Sequence, residues 1–296
     1  MHRHNALSLQ AAPARSVIAN AMTIDVEDYF QVSAFAPHIA RASWSGIACR
    51  VEPNIARILA LLDGAGVKAT FFTLGWIAKR HPAMVRAIVD AGHELASHGY
   101  AHQRASGQSR DQFKRDIGAS KRLLEDITGH AVKGYRAPSF SIGSTNLWVF
   151  DLLHEAGYRY SSSVYPIRHD HYGMPDAPRF AFYPNGVGGM LEVPISTVRI
   201  WNRNLPAGGG GYFRLFPYPL SRWFLRCINL QEQQAGIFYF HPWELDPGQP
   251  RPPGIGLRTR FRHYLNLERM EARIGALARD FQWDRMDNIF LDKNHA

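Results

Sequence analysis

Four short stretches of this chain carry side chains able to bind a cation or move a proton. The first is Asp25-Val26-Glu27-Asp28, which closes the apolar run VIANAMTIDV. Three carboxylates in four residues repel one another unless a cation or a proton compensates. Side chains alternate along a strand, so Asp25 and Glu27 share a face, and Asp28 joins them only if the strand has already ended. The second is His98-Gly99-Tyr100-Ala101-His102. On a helical turn, positions i and i+4 share a face and suit one metal ion. No Glu follows the first His, so this is not the H-E-x-x-H of zinc proteases, and the spacing means little in a chain with 14 histidines. The third is Arg136-Ala137-Pro138-Ser139-Phe140, where an arginine could hold a carboxylate through a two-pronged contact. The fourth is Phe238-Tyr239-Phe240-His241-Pro242-Trp243-Glu244, with an imidazole in the range for a general acid near neutral pH. Each has a plain alternative when taken singly: an acidic turn in solvent, a chance pair, a surface arginine, a packed core histidine.

What joins them is their place along the chain. VIANAMTIDV and VKATFFTLG read as strands, and HELASH, VKGYRAP, LEVPIS and IFYFH as shorter ones. PNIARILALLDGAG, HPAMVRAIVDAG and SRDQFKRDIGASKRLLEDITG read as helices between them, the last capped by Ser109 and stopped by Gly129. STNLWVFDLLHEAGY is expected to be a helix capped by Ser144, and NLERMEARIGALARDF a final helix. Strands alternating with helices of this length imply an α/β fold, a deformed (β/α) barrel of about seven parallel strands with its active site at the C-terminal strand ends. All four stretches lie where strands end, so a barrel would bring them to one mouth. The glycines of NLPAGGGGYF are expected to form a mobile loop, open enough to favour a polymeric substrate.

Composition is that of an ordinary globular protein, with 46% apolar and 20% charged residues. The net charge is +9, but Lys and Arg are scattered, which argues for a solvated basic surface and against nucleic acid as a partner. Cys49 and Cys227 make no metal-type pair. No apolar run is long enough to span a bilayer. The first residues have a broken apolar stretch interrupted by Gln10, Pro13 and Arg15, a poor signal-peptide core. The expectation is a disordered leader over 1–21, a barrel over 22–245 and an extension over 246–296 packing on it. By default the protein is expected to be cytoplasmic, near the inner membrane.

TIDVEDYF, ATFFTLG, GHELASHGYAH, GYRAPSFSI and FYFHPWE together resemble the polysaccharide deacetylases of carbohydrate esterase family four, and the branch tied to bacterial exosortase and exopolysaccharide loci in particular. The resemblance implies Asp25 as general base, Arg136 as its orienting partner and His241 as general acid. It also implies His98 and His102 as metal ligands and the Ser139 backbone N–H as oxyanion donor. The family's two adjacent Asp are absent, so the third ligand is Glu27 or Asp28, with Glu27 favoured by strand alternation. Glu192 is the candidate carboxylate behind the acid, and Tyr100, Phe140 and Trp243 are candidate sugar contacts, with Tyr239 a further stacking ring. A divalent metal, zinc by expectation, is implied, as is an N-acetylated sugar polymer or lipid-linked oligosaccharide as partner. Alternatives are a small-molecule amidohydrolase on the same barrel or an inactive carbohydrate-binding assembly protein.

Overall fold

The structure, a computed structural model, describes residues 17–170, 172–186 and 188–291; most of the expected leader lies outside them. Its organising element is β1 (Ala19–Val26), a run of small and β-branched residues buried at seven of eight positions. Each edge of β1 is used. One takes β9 (Ile237–Phe240), in register from Ala21↔Ile237 to Ile24↔Phe240. The other takes β10 (Gln282–Asp284) beside Ala19–Ala21 and then β2 (Thr70–Thr73) beside Thr23–Val26. From β2 the sheet continues through β3 (Glu94–Ser97), β4 (Gly134–Tyr135), β5 (Tyr160–Ser161) and β6 (Leu191–Glu192), every pairing parallel. The chain is thus a deformed (β/α) barrel. The residues after 245, expected to pack on the barrel from outside, include a strand of its sheet.

Helices α1 (Val51–Gly64), α2 (Gly75–Arg80), α3 (Pro82–Asp90), α4 (Arg110–Thr128) and α5 (Val149–Glu155) follow successive strands. In α4, Ser109 caps the N-terminus by accepting from the Gln112 N–H, and Gly129, in the left-handed region at φ 71°, ends it. Ser144 does not cap α5, which begins five residues later. Asn146 closes a turn there by accepting from the Gly143 N–H, and tightly turned backbone replaces the expected helical start. An antiparallel hairpin, β7 (Thr197–Ile200) and β8 (Arg203–Pro206), leads into α6 (Gly210–Leu215) and α7 (Tyr218–Arg226). The last helices are α8 (Leu257–Tyr264), α9 (Met270–Asp280) and α10 (Met286–Phe290). Among the described residues no helix is long and apolar enough to cross a membrane.

The glycine run corrects an expectation. Residues 207–209 bridge the gap between β6 and β9: the Tyr239 N–H donates to the Gly208 carbonyl (2.7 Å) and the Ala207 N–H to that of Ser196 (3.0 Å). A Cβ on Gly208 would lie 2.1 Å from the Ile237 carbonyl oxygen, and one on Gly210 would lie 2.3 Å from a Glu244 carboxylate oxygen. At Gly208 backbone passes backbone at contact distance, and at Gly210 a carboxylate takes the place of a Cβ, which is the opposite of an open loop.

At the N-terminal end of the barrel, Glu94 accepts from Thr70 Oγ1 (2.6 Å), Tyr160 Oη (2.9 Å) and the Asp287 N–H (3.1 Å). Burial first, and then the Asp287 charge, push its carboxyl up from 4.5 to about 7. A carboxyl raised on folding stabilises the fold fully below its unfolded value and loses that contribution as the pH rises through the folded one. Glu94→Gln is therefore expected to be more stable than the parent by about 2 kcal/mol near pH 9, with the advantage gone near pH 4.5. Thermal melts of both proteins across that range check this; a difference independent of pH would reject it.

Candidate metal centre and active site

Asp25 and Glu27 reach the same side of the sheet, as alternation requires, from the end of β1. Arg136 follows β4 and is fully buried, with its guanidinium over the Phe72 ring (4.0 Å). Its Nη1 donates to Asp25 Oδ1 (2.6 Å) and Thr23 Oγ1 (2.8 Å), and its Nε and Nη2 donate to the Ser162 carbonyl and hydroxyl (both 2.9 Å). The arginine is held at every turn, so Asp25 has one orientation.

Glu27, His98 and His102 bring one donor atom each within 4.8 Å of one another, and all three are buried. His98 Nδ1 hydrogen-bonds the Arg136 carbonyl (2.9 Å), which leaves Nε2 for a ligand. The pair is not on a helix. Gly99 (φ 73°) and His102 (φ 51°) take left-handed backbone, and Arg41 clamps the turn through the Ala101 and His102 carbonyls (2.9 and 3.1 Å). A Cβ on Gly99 would sit 2.8 Å from an Asp116 oxygen, so the turn requires glycine. Glu27 Oε2 lies 2.8 Å from His102 Nε2 yet is a buried oxygen without a properly directed hydrogen bond. Two ligand-type atoms aimed past each other are what a shared cation would reconcile, and two His with one carboxylate is a donor set for an open divalent site. Burial alone would raise the Glu27 carboxyl, but His102 foremost, with His241 and His98, holds it at about 2. Burial lowers the His98 imidazole to about 4, so it is neutral and able to ligate near neutral pH.

Asp28, the alternative ligand, lies outside this cluster. It has left the strand face, and its carboxylate accepts from the backbone N–H groups of Tyr29 (2.8 Å), Arg50 (2.6 Å) and Val51 (3.0 Å). It ties the end of β1 to the start of α1 and has no free face to offer.

His241 follows β9. Its Nδ1 pairs with Glu244 Oε1 (2.8 Å), and its Nε2 points into the cleft, 3.5 Å from Glu27 and 4.0 Å from Asp25. Burial opposes charging, but the Glu244 hydrogen bond and the nearby carboxylates raise the imidazole to about 9. Glu244 is in turn paired with the buried Arg214 (2.7 Å), which donates to the carbonyls of His263 (3.0 Å) and Leu265 (2.7 Å). The carboxylate behind the histidine is thus Glu244. Glu192 sits elsewhere, accepting from the Ser163 and Val164 N–H groups (both 2.8 Å). The signal for Glu244 was its spacing: three residues after His241, past a proline, it also closes a capping box on the His241 N–H (3.1 Å).

A cleft of about 270 Å³ opens onto Asp25, Glu27, both ligand histidines, Ser139, Phe140, His241 and Trp243. Ser139 (φ 56°) and Phe140 (φ 48°) are both left-handed, a strained pair that turns the chain sharply after Pro138 and sets Ser139 Oγ against Ser33 Oγ. Tyr172, which the sequence did not single out, and Tyr239 also line the cleft. Tyr100 does not; its ring packs over Gly75, where a Cβ would lie 2.6 Å away. Trp243 is buried and donates to Glu27 Oε1 (3.3 Å), with its ring between those of His241 (5.0 Å) and His263 (4.1 Å). It positions a carboxylate and offers little free face to a sugar.

The mouth of strand ends thus carries an Asp–Arg pair, a Glu/His/His cluster able to hold a divalent ion and a histidine backed by a carboxylate. Residues 47–161 match the family model of the polysaccharide deacetylases, and residues 162–291 match a model described as a domain of unknown function, DUF3473. Over residues 47–161 the chain is thus similar to the polysaccharide deacetylases. It is 33% identical over 114 residues to a peptidoglycan deacetylase of Helicobacter pylori, covering 38% of each protein. It is 34% identical over 82 residues to a peptidoglycan-N-acetylglucosamine deacetylase of Bacillus cereus, covering 28% of this chain and 30% of that one. These matches span less than two fifths of either relative. In fold it resembles a Mycobacterium smegmatis protein ascribed to the polysaccharide deacetylases (TM-score 0.60, 21% identity, 95% of this chain and 91% of that one). It also resembles the PuuE allantoinase (TM-score 0.56, 16% identity, 92% and 88%).

Proposed function

We propose that the protein removes N-acetyl groups from an N-acetylated polysaccharide, or its lipid-linked precursor, during bacterial exopolysaccharide synthesis. The observation that carries this reading is the meeting of Glu27, His98 and His102 with the Asp25–Arg136 pair and His241 in one cleft. A divalent ion on those three residues, zinc by donor type, would acidify water and polarise the acetyl carbonyl. Asp25, aimed by Arg136, takes the proton of the attacking water. The N–H of Ser139 meets the charge that develops on the carbonyl oxygen. His241, charged and held by Glu244, gives a proton to the sugar nitrogen, without which an amide nitrogen leaves very poorly. Phe140, Tyr172 and Tyr239 form apolar walls suited to an acetyl methyl.

Purified protein is expected to release acetate from N-acetylglucosamine oligomers, to stop in a chelator and to recover on adding Zn²⁺. His98→Ala should be inactive with or without added metal. Full activity in that variant would reject the metal assignment, and hydrolysis of small amides without any action on oligomers would favour the amidohydrolase alternative.

A further inference from the structure

A second and larger cavity, about 970 Å³, lies between the β7–β8 hairpin and the loop 166–180. Its walls are fixed. Asn204 Nδ2 donates to the Pro166 carbonyl (2.9 Å), and Arg179 donates to Thr197 Oγ1 (3.0 Å) and is ion-paired with Glu232. Pro166, Pro175 and Pro178 stiffen the loop side. Three other arginines line it: Arg168 from the loop, Arg199 from β7 and Arg203 from β8. All three are exposed, and none has an ion-pair partner among the described residues. One carboxylate, Asp176, is present to offset them. Guanidinium groups present paired donors that fit phosphate and carboxylate oxygens. The one aromatic side chain in the lining is Phe180, whose ring is covered by the Arg179 guanidinium (5.0 Å), so the lining itself offers no open platform for base stacking, although Trp201 is exposed at the hairpin turn beside it.

This cavity and the catalytic cleft share a wall. Tyr172 faces the cleft, while Ile167 and Arg168, a few residues earlier in the same loop, face the groove. The loop doubles back tightly enough that a Cβ on Gly173 (φ 112°) would lie 2.2 Å from the Ile167 carbonyl oxygen, and the Tyr165 and Tyr172 rings stack at 5.9 Å.

We propose that this groove binds the oxyanions, phosphate or carboxylate, of an acidic saccharide. That the ligand is a saccharide rests on the deacetylase reading; that it is anionic rests on the groove alone. The test is calorimetric titration of the full chain with inorganic diphosphate, with an oligogalacturonate and with a neutral N-acetylglucosamine oligomer of equal length. At least one anion is expected to bind saturably, more weakly as salt is raised. Diphosphate binding alone would point to the phosphates of a lipid-linked precursor, and oligogalacturonate binding alone to acid groups along a polymer. The triple variant R168Q/R199Q/R203Q should bind the anion about tenfold more weakly, and Arg199→Gln alone a few-fold more weakly. Both should keep the parent's melting temperature and its acetate release from the neutral oligomer. Absence of saturable anion binding, equal binding by the triple variant, or tighter binding of a short single-stranded DNA would overturn the proposal. Absence of acetate release from the parent would instead reject the deacetylase reading and leave the binding result standing.

Discussion

Glu27→Gln is expected to stay folded while losing its bound divalent ion and about a thousandfold or more of its deacetylase activity. The carboxylate is one of three donors within 4.8 Å of one another; of the other two, His98 is a neutral imidazole near neutral pH and His102 lies in contact with it. An amide in its place contributes no charge and a far weaker donor oxygen. Asp28→Ala, one residue on, is expected to behave in the reverse way. It removes the acceptor for the Tyr29, Arg50 and Val51 N–H groups, so stability should fall by about 2 kcal/mol while the metal is retained. Elemental analysis of the dialysed proteins and thermal melts separate the two outcomes. A metal-replete Glu27→Gln or a metal-free but stable Asp28→Ala would invert the assignment.

His241→Ala should cost about 10²–10⁴ in kcat on an N-acetyl sugar, with metal content unchanged. The imidazole is the proton source for the leaving nitrogen, so the loss should depend on the leaving group. An aryl acetate, whose phenolate departs unprotonated, should be hydrolysed by the variant with a much smaller deficit. Equal losses on both substrates would show that His241 serves binding or structure and not proton delivery. Glu244→Gln should fall between, because the hydrogen bond at 2.8 Å survives while the charge that keeps His241 protonated is gone. Arg214 would then be left buried opposite an amide, so some loss of stability is expected as well.

The barrel was legible because each long buried strand is a continuous apolar run and each helix begins or ends on a chemically distinct residue, as Ser109 and Gly129 do in α4. The short strands β4 and β6 lie within VKGYRAP and LEVPIS, which read as strands, whereas β5 is too short to show a pattern and β10 is recognisable only from the partner it finds across the fold. At the site, alternation in β1 was enough to put Asp25 and Glu27 on one face. The i, i+4 spacing of His98 and His102 suits a helical turn, but it is met here by left-handed residues, Gly99 and His102, in a turn after β3. Glu244 was passed over because a carboxylate three residues after a histidine reads as a cap, and here one side chain serves as both cap and partner. The glycines at 208–210 looked like slack, since sequence cannot tell freedom from crowding; their neighbours at 2.1 and 2.3 Å decide it.

The two family models meet at residues 161 and 162, between β5 and β6, yet β1, which precedes both, takes a strand of the second span on each edge, β9 on one and β10 beside β2 on the other. Asp25 and Glu27 precede the deacetylase match, His98, His102 and Arg136 lie within it, and His241 and Glu244 come from the segment of unknown function. The seam is therefore one of bookkeeping, with no physical joint beneath it. Exchanging residues 162–291 alone would part Asp25 from His241 and take a strand from each edge of β1. Within this chain the two segments complete one sheet and one cleft, and neither forms a barrel of its own.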